Sequence, residues 1–137
     1  MAFILMFRWP ISVYYEDTDA GGVVYHSNYL NFFERARTEW LKDMGVKQTA
    51  LLAEDIAFVV KKAELDFCKP AKFEQDLIVE TVVTKIKKAS LMFNQRLVDK
   101  QGVLYCEGNI LVACITLSCM KPRAIPQNIA QEFTGGS

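Results

Sequence analysis

Residues 15–41 read YEDTDAGGVVYHSNYLNFFERARTEWL, an acidic, glycine-containing loop that runs into a long amphipathic segment. From Ser27 onward the inward-facing positions recur at steps of three and four residues, which is the period of one helix face. These positions are Tyr29, Leu30, Phe33, Ala36, Arg37, Trp40, Leu41 and Met44. The spacing predicts a helix of about four to five turns. His26, Ser27 or Asn28 is expected to cap its start, and Gly45 to end it in a left-handed conformation.

Most of the remaining chain has the alternating, β-branched pattern of strands. The predicted strands are Ile11–Tyr15, Ala57–Phe67, Leu77–Ile86, Ser90–Val98 and Val103–Ile115. Short helices are expected at Thr49–Glu54 and Gln127–Phe133. A curved antiparallel sheet wrapped round the long helix would give residues 1–137 one α+β domain with a single core. Such a sheet has open edges, and pairing two copies edge to edge would hide them, so an oligomer is predicted.

The composition narrows the function classes. The 137 residues include 16 basic and 16 acidic side chains, so no net charge attracts nucleic acid or anionic lipid. The apolar start Met1–Phe7 is too short to span a bilayer, and no targeting or membrane segment is expected. Cys68, Cys106, Cys114 and Cys119 lack C-x-x-C spacing, and with one histidine they make a poor zinc set. We therefore expect buried, reduced thiols in a cytoplasmic protein that uses no metal and no cofactor.

The loop before the helix brings together groups that acyl transfer requires. Glu16, Asp17 and Asp19 place three carboxylates within four positions, a setting in which one can act as a general base. The pair Gly21–Gly22 permits close backbone approach. The start of the helix leaves N–H groups that can stabilise an oxyanion. On the residues alone, an ordinary acidic turn is the commoner explanation of such a loop.

The same run resembles the signature of the bacterial acyl-CoA thioesterases associated with the Tol-Pal system, which are relatives of hydroxybenzoyl-CoA thioesterase. The resemblance extends to FRWP at Phe7–Pro10, AFVVKK at Ala57–Lys62, QRLV at Gln95–Val98 and KPRAIP at Lys121–Pro126. It implies a hotdog fold, in which a curved antiparallel sheet wraps round one long central helix. It also implies a homotetramer, built as a dimer of dimers, that hydrolyses short-chain or longer acyl-CoA to free acid and CoA.

The resemblance also assigns roles to individual residues. The family's catalytic aspartate falls on Asp19, which would act as general base or nucleophile. Tyr15 and His26 fall on the positions that support it. The backbone N–H groups that fall where the family holds the oxyanion are those of Val24, Tyr25 and His26.

Several of these residues have structural alternatives. Asp17 is expected to cap the loop by accepting bonds from its backbone. His26 would serve equally well as a helix cap, and Tyr15 as a strand residue with a buried ring. Glu34 and Arg37 are expected to pair on or beneath the helix as structural residues.

The substrate's CoA group would need local cations, because the chain has no net charge. Lys88, Ser90, Lys121 and Arg123 are the candidates for contacts with its phosphates and pantetheine arm. Solvated surface residues are the alternative for each of them. Two other functions stay open: a non-catalytic hotdog module that binds acyl carrier protein or phospholipid-synthesis or envelope partners, and a dehydratase acting on hydroxyacyl thioesters through a histidine–acid pair.

Overall fold

The computed structural model of the protein describes residues 5–134, which form one antiparallel sheet and four helical elements. In chain order these are β1 (Met6–Ser12), a 3-10 turn (Tyr15–Asp17), α1 (Asn28–Asp43), α2 (Gln48–Ala53), β2 (Ile56–Phe67), β3 (Asp76–Ile86), β4 (Ser90–Val98), β5 (Leu104–Thr116), β6 (Lys121–Pro122) and α3 (Gln127–Phe133). The strand order is β1-β3-β4-β5-β2, with β6 paired to the end of β5. The sheet curls round α1, which confirms the predicted α+β hotdog fold.

Within the described range, none of the helices combines the length and the apolar character that a membrane crossing requires. The first four residues of the apolar segment Met1–Phe7 lie outside that range.

Strand β1 differs from its prediction. The sequence predicted Ile11–Tyr15, whereas the strand occupies Met6–Ser12. It contains Pro10, which has no N–H to donate and is tolerated because β1 is an edge strand paired only with β3. Tyr15 therefore lies beyond the strand, in the 3-10 turn, with a ring that is exposed rather than buried (77% relative exposure).

The hydrophobic core lies between α1 and the concave face of the sheet. The buried residues of α1 are Tyr29, Phe32, Phe33, Ala36, Trp40 and Leu41. On β4 the alternate residues Leu91, Phe93, Gln95 and Leu97 are buried. Each large apolar side chain removed from water contributes about 1.5–3 kcal/mol, so this contact is the main source of stability. Leu30 was predicted to face the core but is exposed (37%).

The C-terminal end of α1 is closed as the sequence predicted. Gly45 has a φ of +84°, the left-handed conformation that glycine adopts without strain. Its N–H donates to the Lys42 carbonyl at 2.9 Å, and the Val46 N–H donates to the Leu41 carbonyl at 2.8 Å, which is a Schellman motif. The other end has no side-chain cap, because Ser27 is already helical and makes no capping bond.

A polar network is buried beneath α1. The side-chain amide of Gln95 donates to the Phe33 carbonyl at 2.9 Å and to Thr81 Oγ1 at 3.0 Å, and its Oε1 accepts from Arg37 Nη1 at 2.8 Å. Burial lowers the pKa of Arg37 to about 10, against the opposing effect of the nearby Glu34 carboxylate. The guanidinium thus stays charged at neutral pH. The sequence predicted that Arg37 pairs with Glu34, but its hydrogen bond is to Gln95.

The four cysteines are all free thiols, but they differ in exposure. Cys106 and Cys114 are buried, and burial raises the pKa of the Cys106 thiol to about 12. Cys68 and Cys119 are exposed, so the prediction that the thiols are buried is wrong for these two.

We expect Gln95→Ala to lower the free energy of unfolding by about 3 kcal/mol, because the partly buried Arg37 guanidinium and the buried Thr81 hydroxyl lose their partner. Urea unfolding followed by tryptophan fluorescence measures the loss. Asn94→Ala, at the neighbouring and more exposed position of β4, is the matched control and should cost less than about 1 kcal/mol. Equal losses in the two variants would contradict the role given to Gln95.

Candidate functional site

The loop that leads into α1 is a tight reversal of the chain. Thr18 and Val24 face each other in an antiparallel bridge. At the tip, the Asp19 N–H donates to the Val23 carbonyl at 2.9 Å, and the Gly22 N–H donates to the Asp19 carbonyl at 3.0 Å. Gly22 has a φ of +79°, which other residues adopt only with strain. The second glycine of the pair is therefore required for the reversal that presents Asp19.

Asp17 fastens this loop to the start of α1. Its carboxylate is buried and accepts two hydrogen bonds, from the Tyr14 N–H at 2.9 Å and from the Asn28 side-chain amide at 2.8 Å. Its carbonyl accepts a third from the Tyr25 N–H at 3.1 Å. The prediction that Asp17 caps the loop is confirmed. The hydrogen bond from Asn28 to Asp17 also fixes the start of α1, although no side chain caps the helix as predicted.

The Asp19 carboxylate lies at the exposed tip of the loop. Its Oδ1 accepts from the Gly21 N–H at 2.8 Å, an Asx-turn that fixes the direction of the side chain. Within residues 5–134 its Oδ2 has no hydrogen-bond partner. Of the two aspartates, Asp19 is therefore the one with an oxygen left for a ligand or a water molecule.

Two of the three predicted oxyanion donors are already engaged. The Val24 N–H donates to the Ala71 carbonyl at 2.8 Å, and the Tyr25 N–H donates to the Asp17 carbonyl at 3.1 Å. The His26 N–H has no partner in the part of the chain that the structure describes. It lies just before α1, where the helix dipole favours negative charge. Of the three predicted donors, only the His26 N–H is thus without a partner among residues 5–134.

Exposed aromatic side chains flank the loop on both sides. The His26 ring packs against Tyr25 at 4.5 Å and edge-on against Phe67, at the end of β2, at 6.2 Å between centroids. Tyr15 packs edge-on against Phe73 at 5.7 Å. All five side chains are exposed in the single chain. Exposed apolar surface of this kind is typical of a contact surface for a ligand or another protein.

The residues predicted to bind CoA meet at one end of the sheet. Lys88 lies in the β3–β4 turn, where its carbonyl accepts from the Ile125 N–H at 2.8 Å. Ser90 begins β4 opposite Ala113 of β5, and Lys121 and Arg123 lie in and just after β6. Residues 81–95 contain three basic residues, residues 111–126 contain two, and neither segment contains an acid. We call Lys87, Lys88, Lys121 and Arg123 the basic cluster.

A cavity of about 110 Å³ lies between α1 and the sheet. Its apolar walls are formed by Phe58, Val60, Leu91, Phe93, Val112 and Phe133. Asp19, His26 and Tyr15 do not line it. Sequence analysis missed the residues that form the cavity walls. Each of them fits an ordinary strand or helix pattern, and only the tertiary arrangement brings them together.

The two aspartates should differ in their effect on stability. Asp17→Ala is expected to lower the free energy of unfolding by about 2–3 kcal/mol, since it leaves two partly buried donors without an acceptor. Asp19→Ala removes one bond at an exposed tip and should cost less than about 1 kcal/mol. Urea unfolding of the two variants checks this, and the opposite order would contradict the structural role of Asp17.

Comparison with known proteins places the chain in a family. The model of the Thioesterase-like superfamily matches residues 13–133. Over 128 residues the chain is 48% identical to the acyl-CoA thioester hydrolase YbgC of Escherichia coli O6:H1, covering 93% of this chain and 96% of that protein. It is also 48% identical over 128 residues to the acyl-CoA thioesterase YbgC of Haemophilus influenzae, covering 93% of both.

A solved structure shows the same fold. Slr0204, a 1,4-dihydroxy-2-naphthoyl-CoA thioesterase from Synechocystis, superposes with a TM-score of 0.89 at 23% identity, over 95% of this chain and 96% of that one. The fold and the sequence matches agree over nearly the whole chain. The chain belongs to the thioesterase-like superfamily.

Proposed function

We propose that this protein is an acyl-CoA thioester hydrolase in which Asp19 is the catalytic carboxylate. The observation that carries the proposal is the difference between the two aspartates of the loop. Asp17 makes structural hydrogen bonds, whereas Asp19 Oδ2 has no partner among residues 5–134. Relatives that are 48% identical over most of the chain are named for the hydrolysis of acyl-CoA thioesters. The proposed products are the free acid and CoA.

Two chemical routes start from the Asp19 carboxylate. As a general base it takes a proton from a water molecule whose oxygen bonds to the thioester carbonyl carbon. The tetrahedral intermediate then collapses, the C–S bond breaks, and the CoA thiolate leaves and takes up a proton. As a nucleophile Asp19 itself attacks the carbonyl carbon and expels the thiolate, and water hydrolyses the resulting mixed anhydride.

Both routes place negative charge on the carbonyl oxygen. The His26 N–H is the proposed donor to that oxygen, and the dipole of α1 adds to the stabilisation. The side chains of His26 and Tyr15, which flank the loop, would orient the substrate. One amide donor of this kind commonly contributes a rate factor of about a hundred to a thousand.

The proposed site needs two copies of the chain, paired through β2. This strand is an edge of the sheet, and its central residues 60–64 are exposed. In an antiparallel pair about a two-fold axis, the start of one β2 lies beside the end of the other. The His26–Phe67 contact places the Asp19 loop at the end of β2, whereas Phe58 and Val60 place the cavity at its start.

The basic cluster follows the same geometry. Val59 of β2 and Ser90 of β4 both pair with Ala113 of β5, so the cluster also lies at the start of β2. Within one chain it is separated from the Asp19 end by about 20 Å along β5, at roughly 3.3 Å per residue. In the pair, the basic cluster of one copy comes beside the loop of the other and can hold the CoA phosphates there.

The proposal also includes the assembly, the location of the substrate and its carrier. Two such dimers would form the homotetramer, and acyl-CoA in the cytoplasm would be the substrate pool. Acyl carrier protein stays a candidate carrier of the same thioester, because its phosphopantetheine arm carries the same reactive group.

We expect Asp19→Asn to lower kcat/KM for short acyl-CoA by about a hundredfold to ten-thousandfold, the usual contribution of a general base. A thiol-release assay measures it. Glu16→Gln is the matched control, since it removes an exposed carboxylate from the same loop and should retain wild-type turnover. Wild-type activity in Asp19→Asn would sink the proposal and favour a non-catalytic binding module.

The double variant Lys88→Ala with Arg123→Ala should raise KM for acyl-CoA about tenfold or more, because charge-assisted contacts to the phosphates are lost. KM for the same acyl group on pantetheine, which lacks the nucleotide phosphates, should stay unchanged. Lys100→Ala is the control, because Lys100 lies in the β4–β5 turn and does not belong to the basic cluster. An equal effect on both thioesters would contradict the assignment.

A further inference from the structure

The cavity beneath α1 runs inward from the edge of the sheet. Phe58 and Val60 belong to the edge strand β2, Val112 to the adjacent β5, and Leu91 and Phe93 to β4, one strand further in. Two inter-strand spacings give it a depth of about 10 Å. Val60 of β2 is 51% exposed and Phe93 of β4 only 4%, so the open end of the cavity is at β2 and its inner end at β4.

Each polar side chain at the cavity is hydrogen-bonded to another side chain. Gln48 Nε2 donates to Thr38 Oγ1 at 3.0 Å, and Thr38 Oγ1 donates to Glu34 Oε1 at 3.3 Å. The Arg37 guanidinium donates to Gln95 and lies over the Phe93 ring at 5.9 Å. The surface left for a ligand is thus mainly apolar, as a hydrocarbon chain requires.

Phe133, at the end of α3, forms the inner wall. Its ring packs edge-on against Trp40 of α1 at 5.0 Å and against Phe93 of β4 at 5.7 Å. The side chain is 6% exposed, and α3 is anchored by the fully buried Ile129. The ring is held between two other aromatic rings, which makes it a fixed wall of the cavity.

We infer that Phe133 determines the longest acyl chain that the enzyme accepts. The inference rests on the proposed function, in which the thioester lies at the Asp19 loop of one copy and the acyl chain enters the cavity of the other at β2. Each methylene group that fits within the cavity is favourably buried. The first methylene that reaches the Phe133 ring overpacks the core and is rejected. Phe133 is thus a specificity-determining residue contributed by the copy that does not supply the carboxylate.

The experiment is the chain-length profile of kcat/KM for straight-chain acyl-CoA, from acetyl to palmitoyl, in wild type and Phe133→Ala. The variant should accept longer chains, with at least about a tenfold rise in kcat/KM for the first chain that the wild type excludes. Leu97→Ala is the matched control, because it removes a fully buried side chain of β4 that does not line the cavity and does not anchor α3. Its profile should match that of the wild type.

Phe133→Leu removes less volume and keeps the test decisive if Phe133→Ala does not fold, and it should shift the profile in the same direction by less. An unchanged profile in a folded Phe133 variant that still hydrolyses acyl-CoA would overturn this inference and leave the role of Asp19 intact. An equal shift in Leu97→Ala would also overturn it. Full turnover by Asp19→Asn would instead overturn the proposed function, so the two failures are distinguishable.

Discussion

The carboxylate of Asp17 joins the two ends of the loop on which the candidate site depends. It accepts one hydrogen bond from the Tyr14 backbone, at the end of the segment after β1, and one from Asn28, the first residue of α1. A buried carboxylate cannot lose such donors without a cost of a few kcal/mol, on the order of 1–3 per group, so the loop is held in one position against the helix. In this position Asp19 Oδ2 and the His26 N–H have no hydrogen-bond partner within the described part of the chain.

The second constraint is the distribution of functional groups along the edge strand β2. The chain has no net charge, yet the basic cluster lies at the start of β2 and the acidic loop at its end. One copy therefore separates the groups that the proposed site brings to one acyl-CoA. The proposed antiparallel pairing of two edges would remove this separation and would also cover a strand whose backbone groups are otherwise available for aggregation. One pairing would thus both complete the site and protect the sheet edge.

The sequence predicted those features that depend on local periodicity and turn chemistry. The limits of α1, its glycine end at Gly45 and four long strands follow from spacing and residue type. The predicted strand began after Pro10, because proline disrupts most strands. Pro10 is tolerated within β1 only because β1 is an edge strand, which is a tertiary property. The Val24 amide was expected to be free, but it donates to Ala71, more than forty residues away. The cavity and Phe133 likewise depend on strand register and on the docking of α3, which no local pattern specifies.

The most direct test of the central claim is a crystal structure of the Asp19→Asn variant with a non-hydrolysable acyl-CoA analogue. The proposed site predicts the analogue's carbonyl oxygen at about 3 Å from the His26 N–H, the usual length of such a bond, with the side chain at position 19 beside the carbonyl carbon. The acyl chain should point into the cavity of a second copy and the phosphates should lie on that copy's basic cluster. An analogue bound within one chain, with its carbonyl away from the loop, would contradict the site.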